Sequence, residues 1–363
     1  MLSPHRFLSR RVASFCRVAS FCLVALLFFT STGCRRNKTP GVQRVVLYCS
    51  VDEIYAKPII KELELKTGLQ IDVLYDTEAV KTAGLASRIR AEKRRPRGDV
   101  LWSSALLQTL LLGREGLLAS YVSPSARYVP PEFKSADGTW TGIGLRARMV
   151  VYRRGLKNPP RDLHDLLAPR WKGKVGISNP QFGTASDWAA ALAVRWGPRD
   201  TMRYFKALKA NGARILPGNS VVAQKVARGE LLAGVCDPDD YQEQRLKSGG
   251  QIEAAPLLPA TKNQPARPSG EVAIPGSIAL LKGAPNTRAA RKLIDALLEA
   301  ETEKQLARRM KGLELVHPAA SFNRAVEGET FRYAPEGTPN DSAQWLGSWD
   351  LVREPLAAVL LQP

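Results

Sequence analysis

Cysteine is scarce in this chain and histidine scarcer, with five and three among 363 residues. Beyond the first 33 positions only Cys34, Cys49 and Cys236 remain. That is too few for a disulfide framework, and their spacing fits no zinc motif. His5, His164 and His317 have no partner pattern. The chain also lacks a G-x-S-x-G elbow, a Walker A loop, a G-x-G-x-x-G after a strand and a paired-histidine metal motif. A hydrolase or nucleotide enzyme therefore has little support. No dense basic run of the kind a nucleic-acid arm would show is present, although 53 Lys and Arg face 34 acids for a formal charge of +19. Charge spread in this way makes a solvated basic surface rather than a nucleic-acid arm. With 44% apolar residues, a chain of this length can build its core without staples.

An almost wholly apolar run occupies 18–29 and is too short to cross a bilayer comfortably. Arg6, Arg10, Arg11 and Arg17 precede it with no acid, and Thr30, Ser31, Thr32, Gly33 and Cys34 follow. Basic, apolar, then small is the order of a secretory signal, expected over residues 1–33. The ending Ser31-Thr32-Gly33-Cys34 resembles a bacterial lipobox, with Ser31 where leucine is usual. Cys34 is thus expected to be lipidated and to head the mature chain, anchoring it to the membrane through a tether over 34–43. Loss of four arginines and no acid takes the charge from +19 to +15. Such a field favours anionic ligands.

The remainder alternates short apolar strands with amphipathic helices, the pattern of α/β units with parallel sheets. Strands are expected at 44–49, 69–75, 98–102, 174–178, 214–216, 231–236 and 271–281. Helices are expected after Asp52, over 79–94, 104–112, 161–167, 184–196, 198–210 and 219–228, and through 285–311. The stretch 140–152 (WTGIGLRARMVVY) reads as one strand crossing between two lobes. Leu145, Ala147, Met149 and Val151 fall on one side of it, and Arg146, Arg148 and Val150 on the other. Arginines on a polar strand face are expected to be solvated or paired. The expected organisation is a first lobe over 44–145, completed by about 271–316, and a second lobe over 146–256. A return linker over 257–270 and a helical C-terminal region over 317–363 complete it.

The stretches VVLYCSVDE, KELELKTGLQIDVLYDTEAVKTAGL, AEKRRPRGDVLWSS, EGLLASY, WTGIGLRARMVVY, PRWKGKVGISNPQFGTAS, NGARILPGNSVVAQKVARGE, LLAGVCDPDDY and EVAIPGSIALLKGAPNTRAARKL run in one order along the chain. In that order the chain resembles periplasmic substrate-binding proteins of ABC importers, specifically the ferric-iron-binding group. The resemblance implies a two-lobed α/β fold of the type II periplasmic-binding-protein kind, joined by crossing strands and closing on a ligand. It also implies an iron-binding histidine, glutamate and tyrosine pair. Those positions hold Asp52, Ser104, Pro238 and Asp239 here, with Tyr241 slightly beyond. The anion-binding half fares better. Gly183, Thr184 and Ala185 open a helix after a strand, and Asn219 matches an asparagine that contacts the anion.

Ligands of α/β lobes gather at the carboxyl ends of strands. The oxygen donors expected there for a hard cation are Asp52, Asp237, Asp239, Asp240 and Tyr241. Tyr75, Glu78, Lys81, Ser104, Arg146 and Arg148 join the anion set as further ligand contacts or charges that neutralise an anion. Cys49 and Cys236 end two strands near the cleft and are expected to be buried small residues, with a disulfide or a soft metal pair as the alternatives. The expectation is a non-enzymatic, monomeric receptor outside the membrane that needs no cofactor and has no nucleic-acid partner. It captures ferric iron with an accompanying anion or chelate and delivers it to a permease. An organic-anion receptor, or a sensor of the same fold, is the alternative.

Overall fold

The structure, a computed structural model, describes residues 42–76, 83–255, 272–311, 313, 315–316 and 342–360. The signal and tether, Cys34, Glu78, Lys81 and the return linker lie outside the described residues. In chain order the first elements are β1 Gln43–Cys49, α1 Glu53–Thr67, β2 Leu69–Tyr75, α2 Ala83–Ala91, β3 Val100–Ser103, α3 Leu107–Arg114, β4 Leu118–Ala119 and β5 Thr141–Ala147. Then come β6 Met149–Arg153, β7 Val175–Ser178, α4 Gly183–Trp196, α5 Pro198–Ala210, β8 Arg214–Leu216, α6 Asn219–Ala227, β9 Ala233–Cys236, α7 Pro238–Lys247 and β10 Ile252–Ala254. The last are β11 Ala273–Leu281, α8 Thr287–Leu297, α9 Ala300–Arg309 and α10 Ser342–Leu360.

One sheet has the order β2-β1-β3-β11-β4, with β5 also paired to β11; the other has the order β10-β6-β9-β7-β8. Each sheet is mixed. Parallel pairing joins β1 to β2 and β3, and β7 to β8 and β9. The strands that connect the lobes run antiparallel to these, β11 against β3 and β6 against β9. The parallel part is narrower than the strand-helix alternation alone suggests, because each crossing strand must enter its sheet from the opposite end.

Alternation along β1 explains how both faces of the first sheet are covered. Val45, Leu47 and Cys49 join a core with Ile59, Leu293 and Leu297, from α1 and α8, whereas Tyr48 joins a second core with Leu85, Leu107 and Leu110, from α2 and α3. That second core continues into the other lobe through Val175, Ile177, Trp188 and Phe205. Helix α4 is apolar nearly all round and buried accordingly, with Trp188 and the run Ala189 to Leu192 at 0% exposure. Helix α5 begins with Pro198 at its first turn and buries Thr201, Tyr204, Phe205 and Leu208, one face of a 3.6-residue repeat. Helix α10 lays Trp345, Trp349, Val352, Leu356 and Leu360 on the same core, packing on α3, α4 and α5. It therefore bridges helices of both lobes.

Several local expectations change. The single strand over 140–152 is two strands, with Arg148 between them as the crossing residue. The Arg148 backbone N–H donates to the Val272 carbonyl at 3.1 Å, so the outgoing and returning chains touch at the crossing. The expected helix at 161–167 is only a single 3-10 turn, His164–Leu167. The helical stretch through 285–311 is two helices, α8 and α9. In β11, Pro275 and Gly276 form a bulge, and a Cβ on Gly276 would lie 2.6 Å from the Ile143 carbonyl. Only glycine lets β5 and β11 approach there. Neither Cys49 nor Cys236 is in a disulfide, and both are buried, one in the first-lobe core and the other behind the second sheet. The disulfide alternative therefore falls.

Candidate functional site in the cleft between the lobes

The carboxyl ends of β3, β7 and β9 and the crossing strand β5 meet at one cleft. Its walls are Ser104, Arg146, Ser178, Asn179, Phe182, Gly183, Thr184, Pro217, Gly218, Asn219, Asp237, Asp239 and Asp240. The cavity is about 30 Å³, room for one or two waters.

Arg146 and Arg148, expected to be solvated or paired, are paired and also buried. They are 4% and 2% exposed. A strand that crosses between two lobes is covered on both faces, so its polar face is interior too. Each arginine meets the aspartate that follows β9. Arg148 Nη1 donates to Asp237 Oδ1 at 2.7 Å, and Arg146 Nε lies 3.9 Å from Asp239 Oδ1. Arg146 also donates to the Ser104 carbonyl at 2.8 Å, and Arg148 stands over the Trp188 ring at 5.3 Å.

Thr184 and Asn219 close on the same carboxylate. Thr184 Oγ1 donates to Asp237 Oδ2, and Asn219 Nδ2 donates to that oxygen at 3.0 Å and to Thr184 Oγ1 at 2.9 Å. Asn219 Oδ1 accepts from Ser178 Oγ at 2.5 Å and from Arg148 Nη1 at 2.9 Å. Thr184 and Asn219 stand in the first turns of α4 and α6, where unsatisfied N–H groups favour negative charge. Gly183 has φ +54°, a left-handed conformation that a side chain would strain.

Asp237, Asp239 and Asp240 bring oxygen atoms within 4.8 Å of one another, a group that could hold a metal ion. With two guanidinium groups against three carboxylates, the formal balance of this cluster is −1. Oxygen donors with a net negative charge suit a hard cation.

Not every expected site residue reaches the cleft. Tyr241 packs instead on the apolar cluster of Val151, Val226, Cys236 and Ile252, and burial raises its phenol pKa. One further helical step beyond Asp240 rotates its side chain by about 100°. Tyr75 packs on the first-lobe core, and its phenol is raised chiefly by burial. Ala185 is buried inside the lobe. Asp52 sits at the N-terminus of α1, outside the cavity wall, and its side chain makes no capping bond.

Two residues went unread in the sequence. Tyr55, on α1, packs on the first-lobe core, and its phenol pKa is raised by burial and then by the charges of Asp239, Glu243, Asp52 and Asp240. Those partners place it on the side of α1 that faces α7. Asp187 lies in α4, 0% exposed, and its Oδ1 accepts the backbone N–H groups of Leu106 at 2.7 Å and Leu107 at 2.9 Å. The signal for Asp187 was present, for an acid inside an otherwise apolar helix needs a partner.

Among the described residues no helix is long and apolar enough to cross a membrane. Residues 53–309 match the family model described as bacterial extracellular solute-binding protein. Iron uptake protein A1 of Synechocystis sp. is 28% identical over 307 residues, covering 78% of this chain and 81% of that one. The iron-bound HitA crystal structure from Pseudomonas aeruginosa superposes with a TM-score of 0.70 at 24% identity, covering 86% of this chain and 99% of that one. The periplasmic binding protein AfuA of Actinobacillus pleuropneumoniae, with fructose-6-phosphate bound, gives 0.73 at 21%, covering 88% and 99%. Together with the two-lobed type II periplasmic-binding-protein fold, the match over 53–309 establishes that this chain belongs to the bacterial extracellular solute-binding protein family.

Proposed function

We propose that this protein is the binding component of an ABC importer, working in the periplasm or at the cell surface. It captures ferric iron by lobe closure and delivers it to a permease. The observation that carries this reading is the group of Asp237, Asp239 and Asp240, whose oxygens lie within 4.8 Å of one another at a cleft between two lobes. Ferric iron is a hard cation and takes oxygen ligands. The strongly basic chain repels a bare cation and attracts an anionic chelate, while the local balance of −1 favours the metal once it has entered. Closure about the paired crossing strands is the motion that would enclose it. No cofactor is required, the protein works as a monomer, and a lipid on Cys34 would hold it near its permease. The relative named for iron uptake supports the choice of cargo.

A second reading, a receptor for a sugar phosphate or another organic anion, is favoured by Arg146 in the cleft wall and by the likeness to a sugar-phosphate-bound structure. A thermal-shift titration of the purified protein separates the two, because a ligand bound by the folded state raises Tm. Ferric citrate or ferric nitrilotriacetate is expected to raise Tm, with iron-free citrate, fructose-6-phosphate and phosphonates silent. A shift with an iron-free anion and none with iron would overturn the iron assignment.

A further inference from the structure

We propose that Asp237 is a built-in counter-anion: its carboxylate fills an oxyanion-binding nest made by Arg148, Thr184 and Asn219, so the cleft takes its metal without an external phosphate or carboxylate. This deepens the iron-receptor reading and rests on it for the identity of the metal.

The nest has the chemistry of an anion receptor. A guanidinium, a hydroxyl and a primary amide converge from three separate elements, and two of the three stand in the first turns of α4 and α6. Their hydrogen bonds are mutually consistent. Asn219 Oδ1 is committed to Ser178 and Arg148, which turns its Nδ2 toward Thr184 Oγ1 and Asp237 Oδ2. Thr184 Oγ1 accepts from that amide and from Arg148 at 3.2 Å, which directs its own proton to Asp237 Oδ2. Arg148 Nη1, Thr184 Oγ1 and Asn219 Nδ2 thus each direct a proton to one carboxylate, while Arg148 Nε and Nη2 are buried without a hydrogen-bond partner among the described residues.

The carboxylate found there comes from the protein itself, and it is enclosed. Arg148, Thr184 and Asp237 are 2%, 5% and 4% exposed. An external anion would have to displace Asp237 from all three donors and leave its charge buried without compensation. Asp237 is therefore assigned chiefly to the arginine, and Asp239 and Asp240 become the principal metal-facing carboxylates of the group.

The test uses iron-free full-length protein in phosphate-free buffer, titrated with inorganic phosphate and followed by calorimetry and by Tm. Wild type is expected to bind no phosphate. Asp237→Ala should melt lower, bind phosphate about 100-fold or more tightly than wild type, as two restored charge-assisted hydrogen bonds imply, and recover Tm as phosphate is added. If D237A does not fold, D237S takes its place, since its hydroxyl fills part of the space. Phosphate bound equally by wild type would overturn the proposal, and so would a folded variant that gains no phosphate affinity. A parallel titration with ferric nitrilotriacetate, with and without phosphate, keeps the two readings apart. Wild type is expected to bind iron identically in both, and a requirement for added phosphate would overturn the built-in anion. Absence of iron binding in both, with the phosphate result intact, would remove the cargo and leave the nest.

Discussion

Asp187, from the second lobe, accepts a 2.7 Å hydrogen bond from the backbone N–H of Leu106, at the start of a first-lobe helix. The same oxygen takes the next N–H, from Leu107, so one fully buried carboxylate caps a helix across the lobe boundary. Burial, with a smaller contribution from the Asp237 charge, raises its pKa to about 7 against the pull of those two N–H groups.

The sign of the pH effect follows. A folded-state pKa above the unfolded value means that the native protein holds the proton more tightly than the unfolded chain. The contribution to stability is fully present below about pH 4 and is lost as pH rises through 7. Asp187→Asn, neutral and nearly isosteric, keeps an oxygen for Leu106 and Leu107. It should match wild type near pH 4 and exceed it at pH 8 by a few kcal/mol. Urea denaturation at the two pH values measures this, and parallel pH profiles for the two proteins would count against it.

Arg148 and Asp237 form an enclosed ion pair, and removing one partner strands the other. Arg148→Met is expected to destabilise by about 3–5 kcal/mol. The double variant R148M/D237A should cost less than the sum of the single changes, with a coupling of about 1–3 kcal/mol. Additivity in that cycle would show that the pair is not the unit proposed.

Asp239 and Asp240 carry the metal in this scheme. Replacing both by asparagine keeps their size and removes two charges, so ferric binding should fall below detection, while the iron-free Tm falls as well because Asp239 also pairs with buried Arg146. Iron isotherms of wild type and D239N/D240N, measured by quenching of intrinsic fluorescence, decide the point. Unchanged affinity would sink the cation site.

Trp345 is 1% exposed where α10 meets the core shared by both lobes. Trp345→Ala should cost about 3–5 kcal/mol through lost burial and a residual cavity. A loss below about 1 kcal/mol in chemical denaturation would mean that α10 contributes little to holding the core.

Much of this protein is settled by local pattern. The two-residue repeat of β1, the proline that opens α5, the all-round apolar character of α4 and the glycine after α1 each act within a few residues, and all are legible in the chain. The order of such pieces suffices for a two-lobed α/β fold. The chemistry of the cleft is decided elsewhere. Arg148 and Asp237 are 89 positions apart, and Asp187 lies 81 from Leu106. Only the stacking of two lobes turns a strand's polar face into an interior, buries Arg146 and Arg148, and supplies each with a particular aspartate. The same packing sends Tyr241 to the back of its helix and seats Asp237 among groups that the sequence offered for an external anion. Sequence periodicity fixes which face of an element is apolar. What a polar side chain meets depends on where another element comes to rest, and that is a property of the folded whole.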